Sequence, residues 1–254
     1  MTQVKTTLKK PKEILTEIKK LLDPKGPKPL VIFDLDSTLF DVSPRLEKVL
    51  IDISMTNDFI QRFPEVNSYF RNIKTLRNDW GFIKVLKRAG VDHDHYELFD
   101  YLRHAWAVRF FSNEYIHHDI PYDGAAVFVN QIHKLGIPIV YLTGRDVHRM
   151  ELGSKEVLQK WDFPLNDQNA TLVLKPQKEM DDAQFKCDWI KSLNLKDYSK
   201  IYLFENEPVN INLIKKELPE VEMVFFDSTH SGKEPPPSEI NTLIHYLLDD
   251  ESDN

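Results

Sequence analysis

From Tyr122 onward, short apolar runs alternate with amphipathic helical stretches, and no other feature of the chain restricts its fold as strongly. The runs fall at 137–142, 171–174, 200–204 and 221–226. The helical stretches lie at 123–135, near 147–160, 182–193 and 208–217, and at 237–248. Runs that are apolar at nearly every position suit strands buried on both faces. Strand and helix in turn imply a parallel sheet with helices on both sides. One more such run, Leu30-Val31-Ile32-Phe33, comes much earlier, after a Pro/Gly/Lys stretch from Pro24 to Pro29.

Between that run and Tyr122, residues 42–118 read as helix throughout. Ser43-Pro44 is the expected N-cap and first helical residue, followed by a stripe of Leu46, Val49, Leu50 and Ile53. Further helices are expected at 64–76, 78–89 and 94–116, the last rich in aromatics. The fold class expected is therefore α/β, a Rossmann-like doubly wound parallel sheet core with an α-helical cap insertion. The core would comprise 29–41 and 119–248, and the cap 42–118, hinging near Asp41–Ser43 and His118–Tyr122. Residues 1–28 form an N-terminal helix, with Ile14, Leu15, Ile18, Leu21 and Leu22 in a stripe, and a linker. This Lys-rich end and the acidic tail 249–254 are expected to be solvated and mobile.

Composition narrows the function. The chain has 254 residues and 33 Lys+Arg against 40 Asp+Glu, a net charge of −7. That balance argues against broad nucleic-acid binding, which needs clustered cations on phosphates. No apolar run approaches the ~20 residues that cross a bilayer, so no membrane span is expected. Lys5, Lys9, Lys10 and Lys12 stand where a signal core would begin. The single cysteine, Cys187, excludes an intrachain disulfide and a cysteine zinc cage, and fits a reducing, cytoplasmic location.

In open parallel sheets the site lies beyond the carboxyl ends of the strands. The first strand ends in Asp34-Leu35-Asp36-Ser37-Thr38, the second in Thr143-Gly144-Arg145-Asp146, and the run at 200–204 in Glu205-Asn206-Glu207. Lys186 lies in the helix after the third strand. Several carboxylates, a hydroxyl beside a glycine and a lysine suit a hard divalent cation and a phosphoryl group. With such a cation screening charge, Asp34 can attack phosphorus as a nucleophile. Asp36 can protonate the leaving oxygen and later deprotonate water. Thr143 and the Gly144 backbone N–H can hold a phosphoryl oxygen, and Lys186 can neutralise developing charge.

The run Phe33 to Asp41 resembles the first motif, DxDxT, of the haloacid dehalogenase superfamily in its phosphatase branch. Tyr141 to Asp146 is similar to that family's second motif, Phe185-Lys186 to its third, and Leu203 to Asn206 with Asn210 to its fourth. The helical insertion falls where the family carries its type-one cap. The resemblance implies a magnesium-dependent phosphatase that hydrolyses a small phosphate monoester through an aspartyl-phosphate. Asp34, Asp36, Thr143 and Lys186 would be catalytic, and Gly144 and Arg145 would bind substrate. Asp34, the backbone carbonyl of Asp36, Glu205 and Asn206 would hold Mg2+. Asp36 favours phosphoryl transfer, since the family's dehalogenases lack that aspartate. Two departures stand out: Glu205 is one methylene longer than the usual aspartate, and Asn206 lacks the charge of the usual pair.

Other readings stay open at this level. Lys175, at a strand end, rivals Lys186 as the phosphate-site lysine. A phosphotransferase or mutase would use the same carboxylates, and a catalytically weak binding or regulatory protein would keep the fold. Asp92-His93-Asp94-His95 resembles a metal cluster but is expected to cap a helix. His117-His118 is expected to pack at the hinge, and Arg103 and Arg109 either meet an anionic substrate or pair on the surface. The sequence selects neither the substrate nor an oligomeric state.

Overall fold

The structure, a computed structural model, describes residues 7–91, 95–165 and 168–248. It opens with β1 (Thr7–Leu8), α1 (Pro11–Lys20) and β2 (Leu30–Phe33). After β3 (Phe40–Asp41) come α2 (Ser43–Ser54), α3 (Asn57–Arg62), α4 (Asn67–Arg71), α5 (Gly81–Arg88), α6 (Tyr96–Phe110) and α7 (Asn113–Ile116). Then β4 (Ile120–Pro121), α8 (Ala125–Lys134), β5 (Ile139–Asp146), α9 (Val147–Lys160) and β6 (Ala170–Lys175) follow. The chain ends with α10 (Asp182–Lys191), β7 (Ile201–Glu205), α11 (Pro208–Glu217), β8 (Glu222–Phe226) and β9 (Asn241–Leu243).

The main sheet has seven strands in the order β1-β9-β8-β7-β2-β5-β6, and every neighbouring pair is parallel. Its centre explains where chemistry can sit. β2 pairs with β7 on one side and β5 on the other, with Phe33 level with both Phe204 and Tyr141. The strand order reverses at β2, which makes its carboxyl end the natural crevice of such a sheet. Side-chain alternation along β2 feeds two cores. Val31 and Phe33 pack with Phe128, Phe204 and the α1 residues Ile14 and Ile18. Leu30 and Ile32 pack with Ile190, Ile211 and Ile214 of α10 and α11. Both faces of the sheet are therefore covered by helices, as its unbroken apolar strands require.

The helices inserted between β3 and β4 carry an apolar cluster of their own, including Val49, Ile53, Phe59, Phe70, Val85, Leu86 and Leu102. The segments entering and leaving this cap pair as an antiparallel ladder, Phe40 opposite Pro121 and Asp41 opposite Ile120. His117 and His118 lie beside this junction with ring centroids 4.0 Å apart.

Several expected elements differ. No helix forms at 237–248; Asn241–Leu243 is β9, wedged between β1 and β8. Its apolar residues are spaced as for a helix, yet Ile244 and Leu247 are exposed while Leu243 and Tyr246 are fully buried. Ladder bonds to both neighbours outweigh the local pattern. The N-terminal helix is not a solvated end, because Ile14 and Ile18 are wholly buried against the main core. The stretch 94–116 divides into α6 and α7 at Phe111-Ser112, where Ser112 is extended. That break lets Asn113 receive the Gly153 N–H on α9 at 2.8 Å. At 64–76 only α4 is helical, and at 78–89 only α5. Ser43 is the first helical residue rather than the N-cap, and its N–H is received by the Asp41 carboxylate at 2.9 Å. β5 runs on to Asp146, four residues past its expected end, so Thr143-Gly144-Arg145 lie within the strand. Asp92, His93 and Asp94 of the candidate metal cluster lie outside the described residues, as does the tail 249–254.

Gly124 opens α8 with φ of +80°, and a Cβ there would meet the Tyr246 carbonyl carbon at 2.5 Å. Gly124→Ala combines left-handed strain with a backbone clash. It is expected to lower unfolding free energy by about 2 kcal/mol or more, read from urea denaturation. Among the described residues, no helix is long and apolar enough to cross a membrane.

Candidate active site

Asp34 follows β2 directly, and its backbone N–H still bonds to Phe204 of β7 at 3.0 Å. Its carboxylate is buried, and Oδ1 accepts from Lys186 Nζ at 2.6 Å. The same ammonium donates to Glu205 Oε2 at 2.6 Å. The ends of β2 and β7 and the helix α10 thus converge on one lysine. Glu205 is held firmly: Oε1 receives the N–H groups of Asn206 and Glu207, and Oε2 the Asn210 amide at 3.0 Å. The Thr38 hydroxyl lies 3.2 Å from Asp34 Oδ2 and 3.1 Å from Asn206 Oδ1, so its one hydrogen can serve either. Asn206 turns its amide nitrogen to the Thr229 carbonyl, which leaves Oδ1 facing Thr38. The loop between these groups is strained. Ser37 sits at φ +62°, outside the ordinary range for a residue with a side chain. Its N–H bonds the Phe40 carbonyl at 2.7 Å, which closes the turn.

Asp36 lies in a different environment. Its Oδ1 accepts from Arg45 of α2 at 2.9 Å and from Arg145 Nε at 3.0 Å, with Arg145 Nη2 also bonded to it. Both guanidiniums also bind Asp119, at 2.5 Å from Arg45 and 2.7 Å from Arg145. Arg45 and Asp119 have no exposed side-chain surface. Burial alone would raise the Asp36 carboxyl, but Arg145 and Arg45 outweigh it and hold it well below the usual carboxylate range. Two charges of each sign thus form a neutral cluster, buried except at Asp36, that joins the core to the first helix of the cap. Arg145, expected to bind substrate, is committed to Asp36, Asp119 and the Ser154 hydroxyl.

The next candidate residues lie on β5. Thr143 is buried, and its hydroxyl accepts the Arg145 N–H at 3.3 Å. Gly144 lies close to the Asp182 carboxylate, which a Cβ there would meet at 2.6 Å. Asp182 is one turn before Lys186 on α10, so this close approach seats the helix that carries the lysine. Lys175 Nζ bonds Asp182 at 2.5 Å and the Met180 carbonyl at 2.9 Å. The ammonium touching Asp34 is that of Lys186, and Lys175 supports α10 instead. Asp146 caps α9, accepting the Arg149 N–H at 3.1 Å. Asp34, Asp36, Thr143, Gly144, Arg145, Lys186, Glu205 and Asn206 all line one cavity of about 1250 Å³, roofed by the cap.

Among the described residues no three acidic or imidazole side chains gather as a metal cluster, and Lys186 stands between Asp34 and Glu205 where a cation would sit. The oxygen donors themselves are of the kind a hard divalent cation takes. Asp34 and Glu205 supply two buried negative charges against the single positive charge of Lys186, and every candidate ligand atom is oxygen. Burial pushes the Asp34 pKa up to about 7, with Lys186 opposing and Glu205 adding. A carboxyl with a raised folded pKa binds more protons folded than unfolded between the two values. Metal-free protein therefore loses this stability as pH rises from about 4 through about 7. Asp36 acts in the opposite direction and outside that window: its stabilisation is present above about pH 4 and is lost only in stronger acid. In chelator, Asp34→Asn is expected to gain stability over wild type between about pH 4 and 8. The gain should reach the order of 3 kcal/mol, measured as the pH dependence of the difference in Tm.

Residues 28–211 match the haloacid dehalogenase-like hydrolase family. The chain belongs to this family. Among curated proteins none matches it in sequence. Among solved structures, a Clostridium difficile protein assigned to the phosphatases is 16% identical. Its alignment spans 85% of this chain and 94% of that one, with a TM-score of 0.52. A subfamily IA, variant 1 haloacid dehalogenase superfamily hydrolase from Geobacter sulfurreducens is 12% identical over 89% and 96% of the chains, with a TM-score of 0.47. A haloacid dehalogenase-like family hydrolase from Streptococcus pneumoniae is 10% identical over 85% and 94%, also at 0.47. At such identities the first likeness bears on the fold alone. The α/β fold with a helical insertion is that of the haloacid dehalogenase-like hydrolases.

Two members of the site escape a motif reading: Arg45 and Asp119. A signal for Arg45 was present, because it shares a helix face with Val49 and Ile53, both wholly buried. A charged residue on that face needs a buried partner. Asp119 carried no such signal, since only the fold brings it beside Arg45.

Proposed function

We propose that this haloacid dehalogenase-like hydrolase is a phosphatase acting on a phosphate monoester through an aspartyl-phosphate on Asp34. The observation that carries the reading is the shared grip of Lys186 on Asp34 and Glu205, which joins three separate segments at the open end of the sheet. Asp34 attacks phosphorus, the bond to the ester oxygen breaks, and the alcohol leaves with a proton. Water then attacks phosphorus, releases inorganic phosphate and restores Asp34.

Asp36, a third exposed to the cavity, is the group that passes protons. It is ionised at rest, so the proton that it gives to the leaving oxygen is first taken from solvent water in the cavity. The ionised form then receives the proton of the attacking water. Thr143 and the Gly144 N–H hold phosphoryl oxygens, and Lys186 balances their charge. Asp34, the Asp36 carbonyl, Glu205 and Asn206 are the residues that would hold Mg2+. When bound, it supplies charge neutralisation between the nucleophile and the anionic ester.

The test is phosphate release from a broad panel of phosphorylated metabolites, with magnesium and with chelator. The expected result is magnesium-dependent release, with one phosphoryl group trapped by acid quench on the peptide containing Asp34. Transfer to an added alcohol in place of hydrolysis would make the protein a phosphotransferase. Failure to turn over any panel member would leave a binding protein on this fold.

A further inference from the structure

The floor of the cavity is charged, whereas the wall that the cap sets opposite it is aromatic. Trp80 precedes α5 and Ile83 lies in its first turn; both line the cavity, and 50% and 41% of their surfaces are exposed. Beside them on the same wall, Trp106 stacks on Phe110 with centroids 4.9 Å apart and planes at 30°. Phe111 stands edge-on to the same indole at 5.3 Å. Large apolar groups left open to water are costly unless something covers them.

The polar groups around this wall narrow what could do so. Asp79 also lines the cavity, with its carboxylate bonded to Arg88 and the Leu76 N–H. The cations are looser: among the described residues Lys84 reaches the Asn78 carbonyl at 3.1 Å, and Arg103 reaches Asp100 at 3.4 Å. Rings of this kind stack on other flat π-systems, and the two cations beside them favour an electron-rich one. The volume, about 1250 Å³, holds both a phosphoryl group at Asp34 and a ring system on the cap.

We propose that this wall is the subsite for the organic part of the substrate, and that the substrate is a phosphate monoester of an alcohol bearing a planar aromatic ring, stacked on Trp80. The inference rests on the phosphatase reading and adds the substrate class to it. The ring can be a nucleobase or a simple aryl group, which are two sources of one chemistry.

Two matched pairs of substrates test it, each keeping a primary alcohol as leaving group. Adenosine 5′-monophosphate against ribose 5-phosphate reads the nucleobase, and benzyl phosphate against cyclohexylmethyl phosphate reads flatness at equal carbon count. The ring-bearing member is expected to exceed its partner by about tenfold or more in kcat/KM in at least one pair. The pair that does so identifies the source. In Trp80→Ala that ratio is expected to fall toward one, mainly through KM. Trp80 is half exposed, so the variant should keep its fold, which thermal melting checks. Ratios near one in the wild type, or ratios that survive Trp80→Ala, overturn the proposal and leave the phosphatase reading intact. If wild-type protein with magnesium hydrolyses none of the four esters but remains active on other phosphates, the substrate class is overturned. If it is inactive on every phosphate ester, the phosphatase reading fails and the subsite is judged by binding. Adenosine 5′-monophosphate or benzyl phosphate would then quench the tryptophan fluorescence of Asp34→Asn, with the change lost in Asp34→Asn/Trp80→Ala. No quenching by either compound overturns the subsite as well.

Discussion

Asp34→Asn is expected to lower phosphate-ester turnover by about four orders of magnitude or more, close to the limit of detection. An amide cannot form the acyl-phosphate bond, so the whole two-step route closes and not a single contact. Melting temperature separates this from damage to the fold, since the same change removes a buried carboxylate charge and, secondarily, its repulsion with Glu205, and should leave metal-free protein at least as stable at neutral pH. A variant that is both inactive and less stable would point instead to a structural role for the carboxylate. Asp36→Asn is expected to retain more activity, because it loses a proton carrier and keeps the nucleophile.

The largest effect on stability is expected at Arg45. Arg45→Met removes one of two cations facing Asp36 and Asp119, and Asp119 is fully buried. An unpaired charge left in the interior typically costs about 3–5 kcal/mol, which for a chain of this size is a fall in Tm of roughly 10 °C. Arg45→Lys should recover little, because an ammonium lacks the fork that spans Asp119 and Asp36. The double variant Arg45→Met/Asp119→Asn should regain part of the loss, since it removes the stranded charge together with its partner. Calorimetry of these three proteins, with Asp119→Asn alone to complete the cycle, checks the order. Additive losses would show that the two residues do not act as a pair.

These two expectations differ in how far the sequence announces them. Asp34 is legible because its chemistry is local. A buried apolar strand that ends in a carboxylate has few places to put it, and β2 puts it at the reversal point of the sheet. Glu205 and Thr143 follow for the same reason, and Lys186 needs only the helix that α10 supplies. The Arg45–Asp119 pair is not legible in this way. Its partners are 74 residues apart, and no local pattern links them.

The sequence by itself determined the alternation of strand and helix, the helical insertion after the first strand, and the carboxylates at the strand ends. Those follow from apolar periodicity and turn chemistry, which act over a few residues. Tertiary structure alone decided that Lys186 rather than Lys175 meets Asp34, and that Arg145 turns to Asp36 and Asp119. It also decided that 241–243 joins the sheet rather than forming a helix. Each of those outcomes depends on which backbone groups and charges are left unsatisfied once the layers pack, a balance set by partners far away in the chain.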